Sequence, residues 1–284
     1  MTAEFWPEFN DLWDYYDPAA TEKKFRELLP KAKASGDEAY YLQLMTQIAR
    51  SLSLQKKFEQ AHQILDEVES QMQGGDIVEV RYRLERGRTF NSAGEPERAV
   101  PLFKRAVQVS ETIEADFYAV DAYHMLGIAA SPEERLEWNL TAIAYAEKSS
   151  DERARNWLGS LYNNTGWTMF DEKRYKEALD LFQKALAHRE QQGQEREIRV
   201  ARWCVAKTLR VSGRVEEALA IQRELESTGE SDGFTEEEIA ECLLALGEAE
   251  ASKPYFQRAY EKLSQIDWVA EDQARMEHLK SLSA

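Results

Sequence analysis

The side chains through which this 284-residue chain could do chemistry are four histidines, two cysteines and a large excess of carboxylates. His62, His124, His188 and His278 are scattered, and none has a second metal-type ligand at helical spacing that forms a recognisable site. Cys204 and Cys242 lie in helical patterns, where a pair of buried thiols is expected in preference to a disulfide. The run Glu236-Glu237-Glu238 reads as a solvated helix start that complements the helix dipole, and no catalytic pair stands out among 52 acidic residues. No glycine-rich phosphate loop follows a strand and there is no nucleophile elbow. The expectation is a non-enzyme with no metal and no cofactor.

The elements that must position any binding surface are helices. With 43% hydrophobic and 31% charged residues but only 13 Gly and 7 Pro, the chain has the composition of a helical protein, and no stretch alternates with period two. The net charge of -16 opposes the phosphate backbone of nucleic acid and anionic lipid surfaces as partners. The first sixteen residues carry Glu4, Glu8, Asp11 and Asp14, the wrong charge for a signal peptide, and no apolar run reaches membrane-spanning length. A cytoplasmic location, with neither nucleic acid nor membrane as partner, is the expectation.

Residues 161–186 are the most readable segment. Small residues occupy Gly166, Ala178 and Ala185, and large ones Tyr162, Met169, Tyr175 and Phe182, which implies two helices joined by a polar turn at 171–174. Gly166 and Ala178 fall where the paired helices must come close. The same pattern recurs. Positions equivalent to Ala178 are Thr21, Ala61, Ala99, Asn139, Ala218 and Ser252, at spacings of 40, 38, 40, 39, 40 and 34. The preceding small position reads Ala49, Gly87, Gly127, Gly166, Ala206 and Ala240, with Phe9 in a degenerate first copy. Four residues after the anchor come Phe25, Leu65, Phe103, Ile143, Phe182, Gln222 and Phe256.

This pattern resembles the tetratricopeptide repeat, whose small, aromatic and alanine positions are matched by Gly166, Tyr175, Ala178, Phe182 and Ala185. The resemblance implies an all-α, right-handed superhelical solenoid of about seven helix pairs over 1–284. The copies would span 1–34, 37–73, 76–113, 116–149, 151–192, 194–228 and 235–265, with a capping helix over 267–282. The intervals exceed the standard 34 in all but the last case, so longer helices are expected. Asp17-Pro18, Ser131-Pro132 with Glu134, and Thr235 with Glu238 read as helix starts, and Gly36, Gly94, Gly193 and Gly213 as stops.

In the family, first helices line a concave face that binds peptides or partner helices, mainly through the second, fifth, ninth and twelfth positions. Counted from the anchors, the ninth position holds Arg50, Arg88, Trp167 and Lys207, and the fifth holds Phe5, His124, Asn163 and Trp203. The second position holds Arg81, Asp121, Ser160 and Val200 and the twelfth Phe170 and Arg210, with Asn164 beside Asn163. Glu237 and Glu241 hold the fifth and ninth positions of the last copy, so the cations outnumber the acids. The lining is basic and partly aromatic on an acidic chain, which implies a groove for a peptide with acidic and apolar residues, clamped by Arg and anchored on Trp and Phe. The alternative fate of these arginines is pairing with Glu on neighbouring helices. The terminal-carboxylate clamp of some family members is not matched, since His124, Ile128, Val200 and Cys204 stand where it needs Lys, Asn, Lys and Arg. A protein- or peptide-binding adaptor is therefore the first expectation. Behind it stand a peptide-responsive regulator similar to bacterial quorum-sensing receptors and, with Trp268 exposed, a self-assembling protein.

Overall fold

A computed structural model describes residues 6–228 and 232–283, so Phe5 lies outside it. The chain falls into two compact units, Met1–Trp157 and Leu158–Ala284. Among the described residues all regular structure is helical. Unit 1 contains α1 (Phe9–Leu12), α2 (Pro18–Ser35), α3 (Glu38–Leu54), α4 (Phe58–Gln71), α5 (Ile77–Ser92), α6 (Pro96–Thr112), α7 (Asp116–Ala129), α8 (Pro132–Lys148) and α9 (Glu152–Arg155). Unit 2 contains α10 (Leu158–Asp171), α11 (Tyr175–Gln192), α12 (Glu195–Val211), α13 (Val215–Ser227), α14 (Gly233–Ala245), α15 (Ala249–Leu263), α16 (Asp267–Ala270) and α17 (Gln273–Leu282). Each unit is a stack of helix pairs in which consecutive helices pack together, an all-α solenoid architecture. No helix is long and apolar enough to cross a membrane.

The two helices of a pair are buried differently. Second helices bury one narrow stripe, as with Ala61, Leu65 and Val68 of α4 or Ala178, Phe182 and Ala185 of α11. First helices are enclosed on most sides, because each packs on its partner and on the helices of neighbouring pairs. In α3 the run from Tyr40 to Ser53 is buried almost without interruption. The seven anchors are all buried, with Thr21, Ala61, Ala99, Ala178 and Ala218 fully so. At Gly166 a Cβ atom would stand 2.7 Å from the Phe182 ring, so the small position exists to admit the aromatic of the second helix. Burying each such Phe contributes roughly 1.5–3 kcal/mol.

The expected longer helices are present. Full pairs use helices of 13 to 18 residues, and the shortest-period pair, α14 and α15, is built from helices of 13 and 15. Gly36 and Gly193, in the left-handed region, close α2 and α11. Asp17 caps α2 with Pro18 at the first helical position.

Local expectations fail at four places. The first copy keeps only one turn of its first helix, because Trp6, Phe9 and Trp13 stack on Tyr40 and Phe25 instead, and Asp14 turns the chain by accepting from the backbone of Tyr16 and Asp17. The segment before Leu158, assigned to the fifth copy, forms α9, which packs on α7 through the fully buried Ala154. The tail is not one helix. It breaks into α16 and α17, the latter capped by Asp272. Neither predicted capping box forms. Ser131 donates to Glu134 without capping the backbone, and α14 is capped by Asp232, which accepts from Thr235.

Gly166→Ala is expected to destabilise unit 2 by about 1–3 kcal/mol through overpacking on Phe182. Urea unfolding followed by tryptophan fluorescence measures it, and a variant as stable as the parent would refute the close-approach account.

Candidate functional site

In unit 2, side chains from successive first helices and the tail meet in an aromatic run. Phe170 and Trp167 of α10 have ring centroids 5.2 Å apart, and Trp167 lies 6.0 Å from Trp203 of α12. Trp203 lies 6.2 Å from Phe234 of α14, and Phe234 stacks on Trp268 of α16 at 6.0 Å with planes 19° apart. The indole N–H of Trp203 donates to the Phe234 carbonyl at 3.2 Å, which orients both rings. Lys207 and Arg275 lie over the Trp203 and Phe234 rings at 5.1 and 5.2 Å. The run borders an open cleft of about 780 Å3 that also takes in Val200 and Arg199. Val200 and Trp268 are 51% and 67% exposed, unusual values for large apolar side chains.

Phe234, Trp268, Arg199 and Arg275 enlarge the surface expected from sequence, which held Trp167, Val200, Trp203, Lys207 and Glu237 on this cleft. Phe170 packs against Trp167 and Tyr175 outside it. Phe234 stands 18 residues before Ser252, the second position of the last copy, so the period itself was the signal that could have found it. Trp268 belongs to the tail and has no repeat position at all.

The basic lining is neutralised from within. Arg50 hydrogen-bonds Glu85 at 3.2 Å, and Arg88 bridges Glu85 at 2.6 Å and Asp121 at 2.5 Å. Lys207 and Arg210 share the carboxylate of Glu238 at 2.5 and 2.7 Å. The run Glu236-Glu237-Glu238, expected in solvent, is instead buried, at 2%, 8% and 1% exposure. Three consecutive positions of a helix point in three directions, and each acid meets its own cation: Glu236 meets Lys262, Glu237 Arg275 and Glu238 the Lys207–Arg210 pair. Burial pushes the Glu238 carboxyl up, but the hydrogen bond from Arg210 and the charges of Lys207 and Arg210 outweigh it and hold its pKa below the ordinary value.

Arg81 of unit 1 donates to the Tyr118 hydroxyl and lies over the rings of Phe9 and Tyr118. With Arg50 and Arg88 it lines a polar cavity of about 300 Å3 within that unit. His124 is set against Trp157 outside this cavity, its Nδ1 buried without a partner and its pKa pushed down by burial. Asn163 and Asn164 line a smaller compartment of unit 2 next to the aromatic cleft. Cys204 and Cys242 are free and buried, with pKa values pushed up to about 12 by desolvation, so neither is a thiolate at neutral pH. Among the described residues no group of three His, Cys, Asp or Glu is arranged to hold a metal ion.

The sequence profile described as "Tetratrico peptide repeat" matches residues 81–112 and 164–263, which comprise most of α5–α6 and the helices from α10 to α15. The chain contains tetratricopeptide repeats. Solved structures agree on the fold. The apo form of RapI superposes with a TM-score of 0.76 at 14% identity, over 96% of this chain and 79% of RapI. A tetratricopeptide repeat protein from Parabacteroides merdae gives 0.52 at 15% identity, over 97% and 95%. YrrB gives 0.50 at 17% identity, over 76% and 96%. No curated protein matches this tetratricopeptide-repeat chain in sequence.

Because the folded pKa of Glu238 is depressed, its contribution to stability is present above the ordinary carboxylate range and is lost as pH falls through the folded value. Glu238→Gln, which leaves Lys207 and Arg210 without their carboxylate, is expected to lower stability at pH 7 by about 3–5 kcal/mol. The gap should shrink on acidification below the ordinary carboxylate range. A pH-independent difference between variant and parent in chemical denaturation would contradict the pairing.

Proposed function

We propose that this tetratricopeptide-repeat protein is a non-enzymatic scaffold or adaptor that binds a segment of another polypeptide, and that the unit 2 cleft receives apolar side chains of that segment. The aromatic run from Trp167 to Trp268 carries the reading. Tetratricopeptide helices bury their large apolar residues between pairs, yet here four aromatic rings border an open cleft and one of them, Trp268, is two-thirds exposed. Aromatic anchors in a partly desolvated cleft are the usual source of binding energy in protein recognition. YrrB, a TPR protein with an unusual peptide-binding site, supports peptide recognition by this fold.

The ligand class is a segment with apolar and acidic residues. Its acidic component cannot draw on Arg50, Arg88, Lys207 or Arg210 without breaking their internal pairs. Arg199 is differently placed: it lines the cleft and, among the described residues, donates to the Leu225 carbonyl and the Thr228 hydroxyl. The second reading, a peptide-responsive regulator, is favoured by the likeness to RapI in its apo form over nearly the whole chain.

The test is affinity selection from a pool of random N-acetylated hexapeptides. Retained peptides should be enriched in aromatic and aliphatic residues. Trp203→Ala combined with Trp268→Ala should reduce retention by about tenfold or more, the loss of a hot spot of at least about 1.4 kcal/mol. Retention unaffected by both substitutions would remove the cleft from the binding surface.

A further inference from the structure

Beside the aromatic cleft, α10, α11 and α12 enclose a compartment of about 280 Å3, and Arg196 and Val200 line both spaces. Its polar wall is made by Ser160, Asn163, Asn164, Arg189, Arg196 and Glu197. Arg189, in the last turn of α11, differs from the paired cations of unit 2 and resembles Arg199. Lys207, Arg210 and Arg275 each hydrogen-bond a carboxylate, whereas Arg189 meets only neutral oxygens. Its Nη1 donates to Gln192 Oε1 at 3.2 Å and Gln194 Oε1 at 2.5 Å, and its Nη2 to Ser160 Oγ at 2.8 Å. A guanidinium has five N–H groups. The Nε–H and one hydrogen on Nη2 are therefore left without an acceptor among the described residues.

The surroundings hold this cation in place without neutralising it. A Cβ atom on Gly159 would stand 2.5 Å from Nε and 2.6 Å from Cζ, so the guanidinium rests against bare backbone, where any side chain would displace it. Burial lowers the Arg189 pKa and the charge of Glu197 partly offsets this, although Glu197 makes no hydrogen bond to it. A half-desolvated guanidinium with two adjacent free N–H groups fits a carboxylate in bidentate fashion. The Asn163 and Asn164 amides stand on the same wall. The compartment is small for a whole peptide and large enough for one carboxyl group with its stem.

We infer that this compartment is a carboxylate subsite, in which Arg189 takes an acidic side chain or chain-terminal carboxylate of the segment whose apolar residues occupy the aromatic cleft. It rests on the peptide-binding reading above and names the residue that selects the acid. Arg189 lies on a second helix, away from the first-helix positions that line grooves in this family.

The experiment uses the full chain and two pools of random N-acetylated hexapeptides, one with free C-terminal carboxylates and one amidated. The parent should retain carboxylate-bearing peptides selectively. Asp and Glu enriched in both pools would indicate a side-chain acid, and retention confined to the free-acid pool a chain terminus. Arg189→Gln should reduce carboxylate selectivity by about tenfold while leaving apolar enrichment intact. Gly159→Ala, which displaces the guanidinium and keeps its charge, should do the same, with folding of both variants verified by circular dichroism. Equal carboxylate selectivity in the parent and a folded variant overturns the subsite. Apolar enrichment without carboxylate selectivity in the parent overturns the subsite alone, whereas retention of no peptide from either pool overturns the peptide-binding reading with it.

Discussion

The enclosure of the first helix of each pair governs the rest of this structure. A helix packed on its partner and on neighbouring pairs has little face left for water, so most of its polar groups must find partners inside the protein. Helix α14 shows the consequence. Its three consecutive glutamates cannot reach solvent, and each is met by a cation from a different neighbouring helix, α15, α17 or α12. Helix α5 in unit 1 repeats the pattern. Glu79 is gripped by Arg105, and that hydrogen bond, with the backbone N–H of Gly75, outweighs burial and lowers its pKa to about 2. Charges that a surface helix would leave in water have become ties between helix pairs.

Those ties change what the groove chemistry means. A cation that already shares a buried carboxylate can engage a ligand only by giving that partner up, which leaves an uncompensated buried charge. Arg88 and the Lys207–Arg210 pair are therefore structural first. The surface available to a ligand is what the pairing leaves over: aromatic faces too numerous for the core of unit 2, and arginines whose acceptors are neutral. Arg199 and Arg189 belong to this second group. The aromatic cleft and the compartment around Arg189 share Val200 and Arg196, so an apolar and a cationic surface are adjacent.

The elements that close each stack follow the same rule. A terminal pair has an apolar face with no further pair to cover it. In unit 1 the plug is aromatic, with Trp6, Phe9 and Trp13 packed on Tyr40 and Phe25 in place of a full helix. In unit 2, α17 packs on α15 and buries Met276 and Leu279. The short α16 ahead of it leaves Trp268 stacked on Phe234 at the edge of the cleft, so the cap contributes to the cleft wall as well as to closure.

The repeat was legible in the sequence because the close approach of two helices admits few residue types. Gly166 faces Phe182, and the anchors from Thr21 to Ser252 are buried as their spacing required. Trp167 and Trp203 were found by counting from those anchors. Residues outside the period were not: Trp268 lies in the tail and Arg189 sits on a second helix, whereas Phe234 does hold the second position of the last copy. The partnering of charges was also invisible, because a sequence shows that Arg88 or Glu238 exists and not which helix is packed against it. Periodicity within one helix pair thus set the fold from sequence alone, since it depends on contacts between residues near in the chain. Which cations remain available to a ligand was decided only by tertiary structure, through pairings between helices some 20 to 40 residues apart.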